Sequence, residues 1–434
     1  MRVLLNALLL AGLAGSAAAQ TATRTTLSLG EALEIAKQNN PTYLQSVTGR
    51  ARASAALRTA WGQLIPSADA SVGAGLREGR VQFFGGVPFG STTDLVSSSW
   101  GLSAGAQYSY RTLTSIRSAN ASLDAADADV DAALFLLRNN VTAQYLLALQ
   151  TQARAALQDT LVIQQRLQLE LAQARAGVGS GTSLDVKRAE VGLGTQRVAA
   201  LRARNLAAVV RLQLFQQLGV PMPEGVILTA DLPVDAPTST VADLLEMARR
   251  VNPVLRSIQA RQRVADQGVK AARSAYTPSL SLSANIGGNA QAPVDSSFPT
   301  DFTRNPYNLS MGISLPLFDG FAREQRVQEA NASRTDAQYA VRRQELALTA
   351  DVTSARVTLQ AAFETVQLQT QNAVTAREAL QLAEERYRVG ANTFVDLTTA
   401  RAEYERAETD RIDAIYEFHR AFAALEAAVG RTLR

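Results

Sequence analysis

The chain carries little that could do covalent chemistry. It has no cysteine and one histidine, His419, which removes disulfides, thiolate metal sites, cysteine nucleophiles and the common transition-metal ligand sets. His419 lies beside Phe418 and Phe422 in a helical stretch and reads as a packed or interfacial side chain. The acids are many but scattered among arginines, as in Glu384, Glu385, Arg386 and Arg388, which is the composition of a solvated helix face. No phosphate-cradling glycine loop is present. The chain is therefore expected not to be an enzyme and to need no cofactor or metal. Two acids recur in register, Asp185 and Asp396. Each follows a threonine by three residues, Thr182 and Thr393, a spacing that starts a helix and places the acid where the helix dipole favours it.

Those two pairs belong to a larger repeat. Asn40-Pro41 and Pro66 return at an offset of 212 as Asn252-Pro253 and Pro278. Ala119-Asn120-Ala121-Ser122 returns at 211 as Ala330-Asn331-Ala332-Ser333, Val178-Gly179 as Val389-Gly390, and Gly219 as Gly430. Leu102, Ser103 and Gly105 return at 207 as Leu309, Ser310 and Gly312. The offset changes only where loops are expected, so a unit of about 210 residues has been duplicated.

Each unit switches between two periodicities. Long stretches rich in Ala, Leu, Gln, Arg and Glu, nearly free of internal proline, predict helices over 29–65, 112–176, 183–218, 241–277, 319–387 and 394–429. Ser28 with Glu31 forms a capping-box pattern, and Asp319-Gly320 a turn before the fifth helix. Two of these helices run about 65 residues, roughly 100 Å at the helical rise, which points to coiled-coil packing on thin Ala-rich seams. Between them lie runs of about ten residues that alternate strictly. Trp100, Leu102, Ala104, Ala106, Tyr108 and Tyr110 alternate with Gly101, Ser103, Gly105, Gln107 and Ser109. Similar runs fill 67–76, 279–288 and 307–317. One face is apolar and the other small and polar, the pattern of membrane β-barrel strands with lipid outside and water inside. Pro66, Pro278 and Pro316 mark the helix–strand junctions, and 77–99 and 289–306 read as surface loops. Four strands cannot close a barrel, and open edges in lipid leave backbone groups unpaired. Copies must share one barrel; two give eight strands and three give twelve.

The first 19 residues read as a secretory signal: Arg2, an apolar run from Val3 to Leu13 too short to span a bilayer, and Ala17-Ala18-Ala19 before the cleavage site. The net charge of +4 falls to about +3 once Arg2 is removed. No run of basic residues with interleaved aromatics occurs, which argues against a nucleic-acid partner. The organisation expected is a signal peptide at 1–19, a first repeat at 20–220 with strands near 67–76 and 99–110, a linker or equatorial segment at 221–240, and a second repeat at 241–434 with strands near 279–288 and 307–317.

The order helix, strand, strand, long helix, turn, helix, given twice behind a signal, resembles the TolC-like outer-membrane efflux proteins. The paired Asn-Pro sites, the proline junctions, and the turns Val178-Gly179-Ser180 and Arg386-Tyr387-Arg388-Val389-Gly390-Ala391 carry the resemblance, which covers the whole mature chain. It implies a mainly α protein with a membrane β-barrel portion: a homotrimer whose twelve strands form one barrel in outer-membrane lipid, continued by a long α-helical barrel in the periplasm. It implies a passive exit duct of a tripartite efflux or type I secretion system, fed by an inner-membrane transporter through a periplasmic adaptor (membrane fusion) protein. Only four residues follow Gly430, so a small equatorial belt built mainly from 220–240 is expected. With no cysteine, the lipid anchor of some members is excluded.

The resemblance also implies site residues. Val178, Gly179 and Ser180 in the first unit, with Val389, Gly390 and Ala391 in the second, match the periplasmic tips that contact the adaptor; glycine permits the reversal and valine offers an apolar handle. A channel gate is implied at Asp396, Asp185, Tyr387, Asn392 and Thr399. In a trimer Asp396 would form a ring of carboxylates that favours cations. Thr399 stands where related channels have a second acidic ring, and Asn392 where an arginine is often found, so a weaker link at the gate is expected. The competing reading is an exported coiled-coil tether with a membrane-anchoring β-tip and no transport role. A strand face of Gly, Ser, Asn and Gln, which a plugged anchor would not need, favours the duct.

Overall fold

The computed structural model describes residues 26–79, 81–90, 93–229 and 232–433; the expected signal peptide lies outside them. The strands are β1 (Thr26–Leu27), β2 (Ser67–Arg77), β3 (Val81–Phe84), β4 (Val87–Gly90), β5 (Leu95–Ser109), β6 (Ile227–Leu228), β7 (Ser279–Pro293), β8 (Thr303–Arg304) and β9 (Asn308–Ser314). The helices are α1 (Leu29–Asn39), α2 (Pro41–Gly62), α3 (Tyr110–Gly177), α4 (Ser183–Leu218), α5 (Val241–Val251), α6 (Pro253–Arg273), α7 (Ala322–Arg388) and α8 (Phe394–Val429). The protein is mainly helical, and α3 and α7 run 68 and 67 residues. No helix among the described residues is long and apolar enough to cross a membrane.

Two of the helices expected to be continuous are each broken in two, at the duplicated Asn-Pro sites. Asn40 ends α1 and caps α2, its side chain accepting from the Tyr43 amide at 3.1 Å. Asn252 closes α5 and caps α6, with Oδ1 accepting from the amides of Val254 and Leu255 at 3.0 and 3.1 Å. Each following proline sits in the first turn, where its missing N–H is no loss, while it disfavours helical geometry in the asparagine before it. The recurrent dipeptide therefore marks a corner, not the interior of a helix. Ser28 and Glu31 do form the capping box ahead of α1, bonding through Ser28 N to Glu31 Oε2 at 2.8 Å and Glu31 N to Ser28 Oγ at 3.3 Å.

The chain divides into two compact units. One comprises residues up to Asn39, Val141–Pro233 and Ala379–Ile412. Its core at the helix turns is built from Ala172, Ala189, Leu380, Ala383, Tyr387, Phe394 and Leu397, three alanines that let helices approach closely and four large side chains that fill the space between them. In the same unit β1 pairs in parallel with β6. The Tyr145 hydroxyl lies 2.7 Å from the carbonyls of both Leu27 and Thr229, and Arg211 donates to the Val226 carbonyl at 3.2 Å. The segment after α4 is thereby tied to the start of the chain.

The other unit comprises Asn40–Asn140, Val234–Glu378 and Asp413–Arg434. Its helical core joins Leu244, Ala248 and Leu255 to Leu348, Val352 and Leu359 of α7 and to Phe418, Leu425 and Val429 of α8. Asn252 Nδ2 donates to the Ala428 carbonyl at 3.1 Å, and a Cβ on Gly430 would stand 2.6 Å from Asn252 Cα. Gly430 is needed there both for that approach and for its φ of +95°. His419 is 2 % exposed and edge-on to Phe418 at 5.2 Å. It is a packed residue of α8.

The sheet of this unit is antiparallel, in the order β2-β5-β7-β9, with β8 continuing beside β7 past the end of β9. Strands β5 and β7 are longer than their alternating runs, reaching 15 residues each. Their extra residues pair with each other, Leu95 opposite Pro293, so partner strands prolong the ladder beyond the sequence signal. The fourth strand stops at Ser314, because Pro316 cannot donate to a ladder. The expected loops are not bare: β3 and β4 form a hairpin around Gly85 and Gly86.

Candidate functional site

Two surfaces, one in each unit, carry the candidate site residues and the sheet. In the first unit, the turns α3–α4 and α7–α8 have the same backbone. After α3, Ser180 N donates to Arg175 O at 2.9 Å and Gly179 N to Ala176 O at 3.1 Å. After α7, Ala391 N donates to Arg386 O at 2.8 Å and Gly390 N to Tyr387 O at 3.1 Å. These crossed bonds, with Gly179 and Gly390 at φ +75° and +83°, are Schellman closures that satisfy helix-end carbonyls through a left-handed glycine. The residue before each glycine is left outside the helix and faces solvent. Val178 is 79 % and Val389 73 % exposed.

The next helix begins identically in both places. Thr182 Oγ1 accepts from Asp185 N at 3.1 Å while Asp185 Oδ2 accepts from Thr182 N at 3.3 Å and from its hydroxyl at 2.8 Å. Thr393 and Asp396 repeat this at 3.2, 3.0 and 2.7 Å. Bonds from the Thr393 side chain and backbone hold the exposed Asp396 carboxyl below the usual aspartate range. Asp396 thus serves as a cap and keeps its charge at neutral pH. Thr399, one turn on, is exposed, and Asn392 is half-buried in the second turn.

Tyr387 departs from the surface pattern. It is 3 % exposed, with its ring 6.0 Å from Phe394 in an edge-on arrangement. Burial pushes its phenol upward, the Arg175 guanidinium opposes that shift, and the Asp185 carboxylate adds a further upward push. Arg175, which the sequence reading did not select, lies with its guanidinium 4.4 Å from the Tyr387 ring centroid. It donates to the Tyr387 carbonyl and, at 3.0 Å, to the Ser180 carbonyl. Arg401 was likewise not selected. From α8 it pairs with Glu384 of α7 at 2.6 Å and donates to the Gln164 carbonyl and Gln165 Oε1 of α3, each at 3.3 Å. Arg175 is the counterpart of Arg386 in the second turn, yet the role of each of these two arginines, Arg175 and Arg401, is defined by what the fold places opposite it.

In the second unit the sheet separates two chemistries. Register puts Asp69, Ser103, Asn285 and Asn308 in one row and Ser67, Gly105, Ser283 and Ser310 in another, on the same face. The Ser283 and Ser310 hydroxyls are 2.6 Å apart. The opposite face carries Val72, Leu76, Leu102, Leu309, Met311 and Ile313, all exposed. An exposed apolar area of this extent needs an apolar environment. Within the chain β2 pairs only with β5, and β9 only with β7, so both edges of the four-stranded sheet are open among the described residues. No three potential metal-ligating side chains converge among these residues.

Comparison with known proteins gives these surfaces a context. The sequence profile of the family described as outer membrane efflux protein matches residues 32–220 and 244–431. The pyoverdine export outer membrane protein OpmQ of Pseudomonas putida is 30 % identical over 392 residues, covering 87 % of this chain and 80 % of OpmQ. Nodulation protein T of Rhizobium leguminosarum bv. trifolii is 26 % identical over 352 residues, 78 % of this chain and 72 % of that protein. The crystal structure of the Campylobacter jejuni CmeC outer membrane channel superposes with a TM-score of 0.77 at 15 % identity, covering 93 % of this chain and 85 % of CmeC, which shows the shared fold. With both halves of the chain matched, and with that identity and coverage to OpmQ, the chain belongs to the outer membrane efflux protein family, the TolC-like channels of the outer membrane.

Proposed function

We propose that the protein is the passive exit duct of a tripartite efflux or type I secretion system, a homotrimer whose three sheets close one twelve-stranded barrel. The observation that carries this reading is the four-stranded sheet with two open edges, an exposed apolar face and a face of Ser, Gly and Asn. Backbone groups at an open edge cost several kcal/mol each in lipid, so the edges must meet other copies, and the small polar face then lines water. The two repeats, taken as 20–220 and 241–434 about a linker at 221–240, each supply two strands and one helix turn. The turns at 178–180 and 389–391 dock a periplasmic adaptor protein coupled to an inner-membrane transporter, their exposed valines serving as apolar handles. Asp396, Asp185, Tyr387, Asn392 and Thr399 form the gate. An ionised Asp396 from each copy makes a ring that attracts cations.

Single-channel recording in planar bilayers tests this. The wild type should show a small cation-selective conductance, Asp396→Asn should lose selectivity, and Asp185→Ala should conduct more. A folded, membrane-inserted oligomer without a pore would sink the duct, and a wide pore indifferent to both changes would move its gate elsewhere.

A further inference from the structure

The two turns repeat each other at an offset of 211, yet one side chain breaks the symmetry. Arg175 and Arg386 are equivalent, as are Ala176 and Tyr387, and Gly181 and Asn392. Arg386 is exposed, whereas Arg175 is folded back and half-buried. Its stem lies against Gly181, where an added Cβ would come 3.1 Å from both Arg175 Cβ and Ala176 N. Its head lies over the Tyr387 ring and bonds the carbonyls of Tyr387 and Ser180. One planar fork therefore touches the C-terminal turn of α7 and the turn that follows α3. Tyr387 O is itself the acceptor of the Gly390 amide, so the arginine braces the bond that sets Val389 outward.

We infer that Arg175 is a positioning residue that fuses the two valine turns into a single rigid docking surface, so that the partner meets Val178 and Val389 as one patch. A guanidinium suits this role because it can stack on an aromatic face while donating in its own plane to two carbonyls, which an ammonium cannot do. The inference rests on the reading of these turns as the adaptor contact. The coupling itself is measurable without any partner or pore.

The natural chain has no cysteine, so spin labels can be placed singly through Val178→Cys or Val389→Cys in the purified full-length protein. Arg175→Ala should raise the mobile spectral component about fivefold at both sites, the change expected for losing one partly exposed cation–π contact. Arg175→Lys should mobilise position 389 as Arg175→Ala does. Tyr387→Leu should also mobilise both sites, and Tyr387→Phe, which keeps the ring, should match the wild type. The inference is overturned if Arg175→Ala loosens only position 178, its own turn. It is overturned equally if Tyr387→Phe is as disruptive as Tyr387→Leu, since the hydroxyl would then be the link. Conductance of the same variants separates this from the gate assignment. Labels that respond without a change in conductance leave the brace and remove Tyr387 from the gate, and labels that do not respond remove the brace whatever the pore does.

Discussion

Where the first repeat leaves its strands, β5 runs straight into α3 at Tyr110, with Ser109 Oγ accepting from the Thr112 amide at 3.4 Å. At the matching place in the second repeat the chain leaves β9, passes Pro316, and turns through Gly320 and Phe321, both left-handed at φ +65° and +68°, before α7 begins. The residue equivalent to Thr112 is Arg323. Its buried guanidinium donates to the carbonyls of Pro316 and Leu317 at 2.7 and 3.0 Å, pairs with Asp319 at 3.1 Å and lies over the Tyr276 ring. A duplicated unit has thus been given two joints, one direct and one kinked and clamped by an arginine. The helix turns show the same division. Their closing backbone bonds are the same, but only the first repeat's arginine, Arg175, crosses to the other. Repetition supplied the framework, and single side chains made the halves unequal.

The largest test of that contrast is at the strand–helix joints. Arg323→Ala leaves the carbonyls of Pro316 and Leu317 without their charged donor and Asp319 with its longer 3.5 Å pairing to Arg326. It should destabilise the protein by about 3 kcal/mol, whereas Thr112→Ala should cost about 1 kcal/mol. Denaturant unfolding followed through Trp61 and Trp100 measures both, and equal losses would mean that the clamp adds nothing to the kinked joint. The turns should instead behave alike when their shared backbone is disturbed. Gly179→Ala and Gly390→Ala each force a side chain into the left-handed region and should each cost about 1–2 kcal/mol. A marked difference between them would show that side chains, not the Schellman closure, hold the turns.

The smallest effect expected is with pH. The Asp396 carboxyl is held below its ordinary value of 3.8 by Thr393. A depressed folded pKa stabilises fully above the unfolded value and loses that contribution as pH falls through the folded one. The start of α8 should therefore be unchanged from neutral pH down to about pH 5 and should fray only below about pH 4. A spin label at position 389 followed through an acid titration reads this. Fraying above pH 5 would contradict the cap.

Much of the framework was legible from residues alone. Alternation in Leu102–Tyr108 and Leu280–Ile286 placed apolar and small polar side chains on opposite faces, because a strand has period two whatever surrounds it. The Thr-x-x-Asp spacing announced both helix starts, because a capping box is closed within four residues. The Asn-Pro corners were visible but read as helix interior, since helix-forming residues flank them on both sides and the break depends on a single cap. The extra length of β5 was hidden because Leu95 and Ser98 break its alternation, and that of β7 because its outer residues, Asn289 to Pro293, alternate still but are of small, polar and proline types that also fill loops; the two ends are held by each other.

Of the candidate site, the sequence by itself determined the valine–glycine reversals, the caps at Asp185 and Asp396, and the duplication that sets them in pairs. The reversals and the caps rest on contacts between residues no more than five apart. Only the tertiary structure decided that Tyr387 is buried, that Arg175 reaches it from 212 residues away, and that Arg401 ties three helices together. Nothing in an arginine's neighbours along the chain says where its long side chain will fold. That is set by which ring, carbonyl or carboxylate the packed helices bring within its reach.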